Sequence, residues 1–304
     1  MAPLHFNRDF TPDYGQAIKL SSGVRRVTCN NPGPFTYLGT NSYIIGEGDV
    51  AILDPGPADE AHIKALLRAT EGETISHILI SHTHVDHSPG AALLQRHCGA
   101  PIYAEGPHRP ARALHLGEMN PLDASADLDL QIDHRVGDGD RINGKDWSLE
   151  VLHTPGHTTN HLSFAFTDGS GMFSADHVMA WSTSIVAPPD GSMAEFMDSL
   201  EKLMGRNDAV YWPGHGGVLH DPAPFLVGLK EHRLAREQAL IDRLHAGDET
   251  IPAMVATVYK DTDPSLHGAA SLSMFAQMEY LVERGRVRCL DAVPSLRARF
   301  KLIG

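Results

Sequence analysis

The sequence predicts an α/β protein in two parts, a sheet sandwich of about 200 residues followed by a small, mostly helical domain. Several short apolar runs end in a histidine or a carboxylate, which is typical of strands that carry a site at their ends. A cluster of chain breakers, Asp221-Pro222-Ala223-Pro224, precedes a region with helical spacing of leucines. We therefore expect one domain over residues 1–224 and a second over residues 225–304 of the 304-residue chain.

Four metal-binding side chains fall within six positions after the apolar run Ile78-Leu79-Ile80. In extended backbone, residues two apart point the same way, so His82 and His84 can converge on one ion while Asp86 and His87 turn toward another. Any single histidine among the 19 of this chain would more often be an ordinary solvated side chain. Four such groups together instead predict a metal site, and a pair of ions bridged by hydroxide suits hydrolysis.

Three further apolar runs end in the same kinds of residue. Thr154-Pro155-Gly156-His157 follows one strand-like run and Pro213-Gly214-His215 follows another, so that a tight turn presents each histidine. A third run, Met172-Phe173-Ser174-Ala175, ends in Asp176. Because loops after neighbouring strands gather at one edge of a sheet sandwich, we expect these side chains to meet the first cluster.

In these motifs the chain resembles the metallo-β-lactamase-fold hydrolase superfamily over roughly residues 20 to 220. The resemblance implies an αββα sandwich that binds two divalent metal ions, zinc being expected and manganese or iron being alternatives that availability decides. It also implies that Asp54, in Asp54-Pro55-Gly56, hydrogen-bonds a metal-bound imidazole from behind, although that tripeptide alone would be an ordinary turn. The implied ligands are His82, His84 and His157 for the first metal, Asp86, His87 and His215 for the second, and Asp176 bridging both.

Three longer segments resemble the subgroup around β-lactamase-like protein 2, whose members carry a C-terminal winged-helix-like domain. They are Gly39–Tyr43, Trp181–Pro189 and Tyr211–Gly217. Of these, Trp181–Pro189 fits a loop lining the substrate groove and a core segment equally well. Ala175 stands where glycine is usual, which we expect to leave the bridging carboxylate intact with a slight shift of its backbone.

Beyond residue 224, the pattern predicts three helices and a β segment. The helices run from Phe225 to about His245, from near Ile251, and from about Ala269 to Glu283, and the strand-like segment is Arg286–Leu290. This order matches a winged helix. The candidate recognition helix, Ser271–Glu279, contains no Lys or Arg, so we favour a packing or substrate-shaping role over the reading of DNA.

Charge is divided unevenly between the two parts. Residues 226–304 contain 11 Lys and Arg against 10 Asp and Glu, whereas the other residues contain 14 against 28. An acidic body of net charge −14 repels polynucleotides, whose affinity for proteins comes largely from phosphate neutralisation by Lys and Arg. Two bound metals would add about four positive charges at the site itself.

The chain has the features of a cytoplasmic protein without a membrane partner. Residues 1–9 contain no apolar leader, and no apolar run is long enough to span a bilayer. Cys29, Cys98 and Cys289 are widely spaced and lie outside every ligand motif, as free thiols in a reducing compartment would. Oligomeric state is left open.

Mechanistically, the motifs predict that a metal-bridging hydroxide attacks a carbonyl carbon or a phosphorus atom. Asp86 and Asp176 would orient that hydroxide, and Asp86 could take up its proton. The subgroup resemblance most directly implies cleavage of single-stranded RNA, against which stand the acidic body and the absence of Lys and Arg from the candidate recognition helix.

Thioester hydrolysis, of the hydroxyacylglutathione or polyketide type, is the alternative. The sequence argues against a hydroxyacylglutathione hydrolase, because Gly216-Gly217 follows His215 where that family has an acid and an aromatic residue. A lactam or lactone could be opened weakly as a third small-molecule substrate. A non-catalytic nucleic-acid-binding regulator is disfavoured because all seven candidate ligand positions hold competent residue types.

Overall fold

The computed structural model describes residues 4–115, 118, 120, 123–260, 263–264 and 267–303. Residues 1–3, part of the amino-terminal segment 1–9 in which no leader is expected, lie outside these ranges. Within the described chain, two mixed β-sheets pack face to face with helices on their outer sides, and a small helical domain follows.

The first sheet has seven strands that are neighbours in chain order. Its early pairings are antiparallel, whereas the pairings from the fourth strand onward are parallel. Parallel neighbours need crossover connections, which two helices supply, α1 (Glu60–Ala69) and α2 (Gly90–Cys98). The strands are β1 Ala17–Ser21, β2 Val24–Thr28, β3 Asn41–Glu47, β4 Asp49–Leu53, β5 Thr74–Leu79, β6 Ile102–Ala104 and β7 His134–Arg135.

The second sheet has six strands, β8 Arg141–Asn143, β9 Ser148–His153, β10 Leu162–Phe166, β11 Met172–Ala175, β12 Val210–Pro213 and β13 Leu219–His220. Its spatial order is β13-β12-β11-β10-β9-β8. Among the described strands of this sheet, β11 and β12 pair in parallel, and helix α3 (Met193–Met204) makes the crossover between them.

Strand β3 shows how the layers are built. Successive strand residues point to opposite faces, so Tyr43 and Ile45 enter the core between the two sheets while Ile44 packs beneath α1 and α2. On the outer face of the second sheet, Phe196 and Leu200 of α3 pack into a third hydrophobic core. Helix, sheet, sheet and helix follow one another, which confirms the expected αββα sandwich.

The C-terminal part also confirms the winged-helix plan. Its elements are α4 Pro222–His245, α5 Ile251–Val258, α6 His267–Glu283, β14 Val287–Cys289 and β15 Phe300–Leu302. Each predicted helix is present within a few residues, and β15 pairs with β14 as an antiparallel strand that the sequence pattern had not indicated. No helix in the described ranges is both long and apolar enough to cross a bilayer.

Helix α4 belongs to both parts of the molecule. Leu226 and Leu229 in its first half pack into the core on the second sheet, whereas Leu240 and Ile241 in its second half lie in the C-terminal core. The boundary expected after residue 224 therefore stays a prediction, since this helix is continuous across the two cores.

Candidate metal centre

Every candidate ligand segment begins just after a strand ends. Asp54 follows β4, His82 follows β5, His157 follows β9, Asp176 follows β11 and His215 follows β12. These strand ends lie at the same edge of the sandwich. The structure thereby brings together all the residues that the sequence placed in one site.

Hydrogen bonds tie the two sheets together at that edge. The backbone N–H of Asn41 donates to the carbonyl of Gly214 at 2.8 Å, and the Tyr43 hydroxyl donates to the carbonyl of Pro213 at 2.6 Å. The side-chain amide of Asn41 also donates to Pro213 O and to Gly216 O. The turn that carries His215 is thus fixed to the start of β3.

Five imidazoles aim ring nitrogens at two neighbouring points. Nδ1 of His84 lies 3.1 Å from Nε2 of His82 and 3.0 Å from Nε2 of His157. Nε2 of His87 lies 3.2 Å from Nε2 of His215. A tetrahedral ion with bonds of about 2.1 Å would separate its nitrogen ligands by about 3.4 Å, so both groups are close to the spacing of a metal site.

Carboxylates complete both groups. Oδ2 of Asp86 lies 3.2 Å from Nε2 of His215, while Oδ2 of Asp176 lies 3.4 Å from that nitrogen and 3.7 Å from Nε2 of His157. Asp176 thus reaches both histidine groups, and its buried Oδ1 has no hydrogen-bond partner. A Cβ at Gly214 would overlap that oxygen, which explains why glycine precedes His215.

The outward ring nitrogen of each of the five histidines has an acceptor. Such a partner holds the proton on the outward nitrogen and leaves the lone pair of the inward one free for a cation. The five outward pairs are His82 Nδ1 with Ser81 Oγ at 2.9 Å, His84 Nε2 with Asp190 Oδ2 at 3.3 Å, His87 Nδ1 with Asp54 Oδ2 at 3.0 Å, His157 Nδ1 with Ile185 O at 2.6 Å, and His215 Nδ1 with Gly39 O at 3.2 Å.

The two histidine groups differ in their electrostatics. Burial lowers the pKa of His82 well below its ordinary value and that of His157 to about 4. Burial alone would also lower the pKa of His215, but the charge of Asp176 and hydrogen bonds to both carboxylates raise it to about 9. For His87, burial is likewise outweighed by Asp86 and Asp176, and its pKa is raised well above the ordinary value.

The carboxylates respond in the opposite sense. Burial would raise the pKa of Asp176, yet the charges of His215 and His87 hold it well below the usual range, and the same holds for Asp86 beside His87. Asp86 and Asp176 thus favour the protonated forms of His87 and His215. A divalent cation can replace those protons, so the donor set and its spacing fit two metal ions.

Two buried residues that support the site were missed by sequence reasoning. Asp190 is fully buried, with Oδ1 3.1 Å from Nε2 of His108 and Oδ2 toward His84. His161 accepts a hydrogen bond from the backbone N–H of Asp176 at 3.2 Å, which positions that carboxylate. Pro188-Pro189-Asp190-Gly191 has the composition of a simple turn, so composition gave no signal for Asp190.

Segment 181–189 contains residues that line a groove and residues that pack in the core, so each of the two interpretations of it describes part of the segment. Ile185 and Ala187 line a cavity above the centre, whereas Val186 between them is fully buried in the core of the second sheet.

Ala175 has φ = +42°, in the left-handed region that favours glycine, which accounts for the glycine usual at this position.

The cavity above the centre has a volume of about 260 Å³. His84, Asp86, His157 and Asp176 form its floor. Its walls are mainly apolar, and helix α6 of the C-terminal part contributes to them. The apolar wall residues are Phe35, Val85, Met179, Ile185, Ala187, Ala269 and Leu272.

Comparison with known proteins agrees with this geometry. Residues 36–215 match the metallo-beta-lactamase superfamily, and residues 250–292 match the beta-lactamase associated winged helix domain. A "Beta-lactamase-like protein 2 homolog" of Drosophila melanogaster is 29% identical over 89% of this chain and 91% of its own. An "Atrochrysone carboxyl ACP thioesterase" of Claviceps purpurea is 28% identical over 77% of this chain and 69% of its own.

Solved structures share the fold over almost the whole chain. A metallo-beta-lactamase family protein of Thermus thermophilus superposes with a TM-score of 0.74 and 22% identity, covering 92% of this chain and 99% of the other. A beta-lactamase domain protein of Burkholderia ambifaria gives 0.78 and 17%, covering 97% and 96%. Because the family model matches residues 36–215, more than half of the chain, the protein belongs to the metallo-beta-lactamase superfamily, carries its associated winged helix domain and is a metal-dependent hydrolase.

Proposed function

We propose that the protein hydrolyses acyl thioesters of small or medium size at a centre of two divalent metal ions. The observation that carries the proposal is the apolar cavity directly above the histidine and carboxylate cluster. Apolar walls favour an acyl chain, which gains free energy on leaving water. The described lining of this cavity contains no Lys or Arg to pair with a nucleic-acid backbone.

The ligand assignment follows the two histidine groups. His82, His84 and His157 would hold one ion, and Asp86, His87 and His215 the other, with Asp176 between them. The ligand atoms within each set of three lie within 4.8 Å of one another, and those of His82, His87 and Asp176 do so as well, which supports a place for Asp176 between the two ions. Zinc suits nitrogen and carboxylate ligands, with manganese and iron as alternatives. When bound, such ions polarise a carbonyl and lower the pKa of water to about 7.

The reaction adds the oxygen of water to the thioester carbonyl carbon and breaks the bond from that carbon to sulfur. A carboxylic acid and a thiol are formed. The side chain of Asp86 is 22% exposed, the largest exposed fraction among the carboxylates of the described centre, and it lines the cavity. We assign to its carboxylate the uptake of the proton from water and the delivery of that proton to the departing sulfur.

Buried partners keep the other groups in place during this reaction. Asp54 and Asp190 hold the rings of His87 and His84, and the apolar walls exclude water from the acyl chain. The name of the thioesterase relative from Claviceps purpurea supports this substrate class. Cleavage of single-stranded RNA, which the resemblance to β-lactamase-like protein 2 implies, is opposed by the acidic body and by helix α6 facing the cavity, which contains no Lys or Arg.

The test is to incubate metal-replete protein with acyl thioesters of increasing chain length, a labelled single-stranded RNA and a chromogenic lactam. Asp86→Ala is the matched inactive variant. We expect thioester turnover that falls by about a hundredfold or more in Asp86→Ala. Cleavage of RNA well above that variant, with no thioester turnover, would overturn the proposal in favour of a nuclease.

A further inference from the structure

A second pocket of about 210 Å³ lies beside the metal-site cavity. The two share Phe35, Ile185 and Ala269 in their walls, so they are neighbouring compartments of one groove. The second pocket lies between segment 182–185 of the sandwich and helices α4 and α6. We call it the arginine pocket, after two residues of α4, Arg233 and Arg236, that line it.

Arg233 is a buried cation with no counterion among the described residues. Its side chain is only 4% exposed, and its guanidinium carbon lies 4.6 Å from the centre of the Phe196 ring. One guanidinium nitrogen donates to the carbonyl of Ser184, while Nε has no hydrogen-bond partner. Among the described residues, no carboxylate forms an ion pair with it, and burial lowers its pKa to about 10. A buried charge of this kind is unfavourable unless a partner compensates it.

The remaining lining adds positive charge and hydrogen-bond donors. Arg236, three residues further along α4, stacks over the ring of Tyr259 at 4.6 Å and has no ion pair with a described residue. His232 of α4 and Ser273 of α6 also line the pocket. No Asp or Glu occurs among the described lining residues, although the whole chain carries a net charge of −13. The pocket therefore attracts an anion.

We propose that the arginine pocket binds a phosphate ester on the thiol half of the thioester whose acyl half occupies the apolar cavity. This inference rests on the proposed function. Guanidinium groups bind phosphate oxygens through paired, charge-assisted hydrogen bonds, and hydroxyl donors complete such sites. The shared walls place this anion beside the metal centre without bringing its charge into the apolar cavity. The C-terminal domain would thus select substrates by their thiol half.

The test compares two thioesters with the same acyl group, one of pantetheine 4′-phosphate and one of pantetheine, which lacks the phosphate. Full-length metal-replete protein should show a kcat/KM about tenfold higher for the phosphorylated thioester. Arg236→Gln should bring that ratio close to one. Arg243→Gln removes the same charge from the same helix outside the pocket and should keep the ratio of the unmodified protein. Arg233 is too deeply buried to serve as the first variant.

Binding of pantetheine 4′-phosphate and of pantetheine, measured by calorimetry on the same proteins, separates the two proposals. Thioester turnover without a phosphate preference, or equal ratios in Arg236→Gln and Arg243→Gln, overturns the phosphate site and leaves the thioesterase standing. Conversely, the protein could show no thioester turnover but bind pantetheine 4′-phosphate more tightly than pantetheine. If Arg236→Gln weakens that binding and Arg243→Gln does not, the thioesterase is rejected and the anion site is kept. Absence of both turnover and phosphate-dependent binding rejects both.

Discussion

Oδ2 of Asp54 lies 3.0 Å from Nδ1 of His87, while the other nitrogen of that ring faces His215. The carboxylate is 2% exposed and also accepts hydrogen bonds from the N–H and hydroxyl of Ser81. Because the same Ser81 hydroxyl meets Nδ1 of His82, one buried carboxylate orients a histidine of each group.

Asp54→Asn should therefore weaken metal binding without removing a ligand. Asparagine keeps the shape but loses the charge that holds the proton on His87 Nδ1, and loss of such partners costs about 10- to 100-fold in metal affinity or activity. Metal content after gel filtration and kcat/KM at excess zinc measure the two effects. The exposed Asp168→Asn is the matched control, and equal metal content in both variants would contradict this role.

Asp176→Ala should remove one of the two metals and lower activity by about a hundredfold or more. The reason is that Asp176 lies between the histidine groups and its buried Oδ1, 3.5 Å from Nε2 of His87, has no hydrogen-bond partner among the described residues. Elemental analysis of purified protein, paired with the thioester assay, checks this. An unchanged metal count together with an unchanged rate would refute the bridging assignment.

Leu272→Trp should shorten the acyl chains that the enzyme accepts. Leu272 projects from α6 into the wall of a cavity of only about 260 Å³. We expect kcat/KM for an octanoyl thioester to fall by about tenfold relative to an acetyl thioester, since a few buried methylenes are worth this much. Leu234→Trp, on the exposed side of α4, is the control. If both variants keep the chain-length profile, α6 does not shape the acyl site.

Acid should destabilise the fold partly through His62. Burial lowers the pKa of this histidine to about 4 in the folded chain from an ordinary 6.5, and its Nε2 lies 2.7 Å from the Ser42 hydroxyl. Since the folded state disfavours the charged form, stability is intact above pH 6.5 and falls as the pH drops from there toward 4, by roughly 3 kcal/mol in total. Urea unfolding at a series of pH values measures this slope.

The variant that isolates this contribution is His62→Gln, which retains a polar end but cannot take up a proton. Its stability should vary less between pH 7 and pH 5 than that of the unmodified chain. Identical slopes for the two proteins would assign the acid sensitivity to the other buried histidines instead.

Sequence reasoning found the ligand candidates because ligand-type residues followed apolar runs, which became strands that end at the same edge of the sandwich. His157 and His215 each followed a Pro-Gly turn, and the structure brings both to the centre. Asp190 escaped notice because its role depends on a contact with His84, 106 positions away, that no local pattern encodes. Likewise, no sequence pattern distinguished Arg233 from the other charged residues of α4, whereas the fold buries it.

The continuous course of α4 through both cores has a consequence for folding. A helix whose two ends are buried in different cores cannot lose its second half without loosening the first, because its backbone hydrogen bonds are cooperative along the chain. The winged helix domain and the hydrolase body should accordingly unfold in one transition, so a substitution in the C-terminal core, such as at Leu240, would reduce the amount of active enzyme.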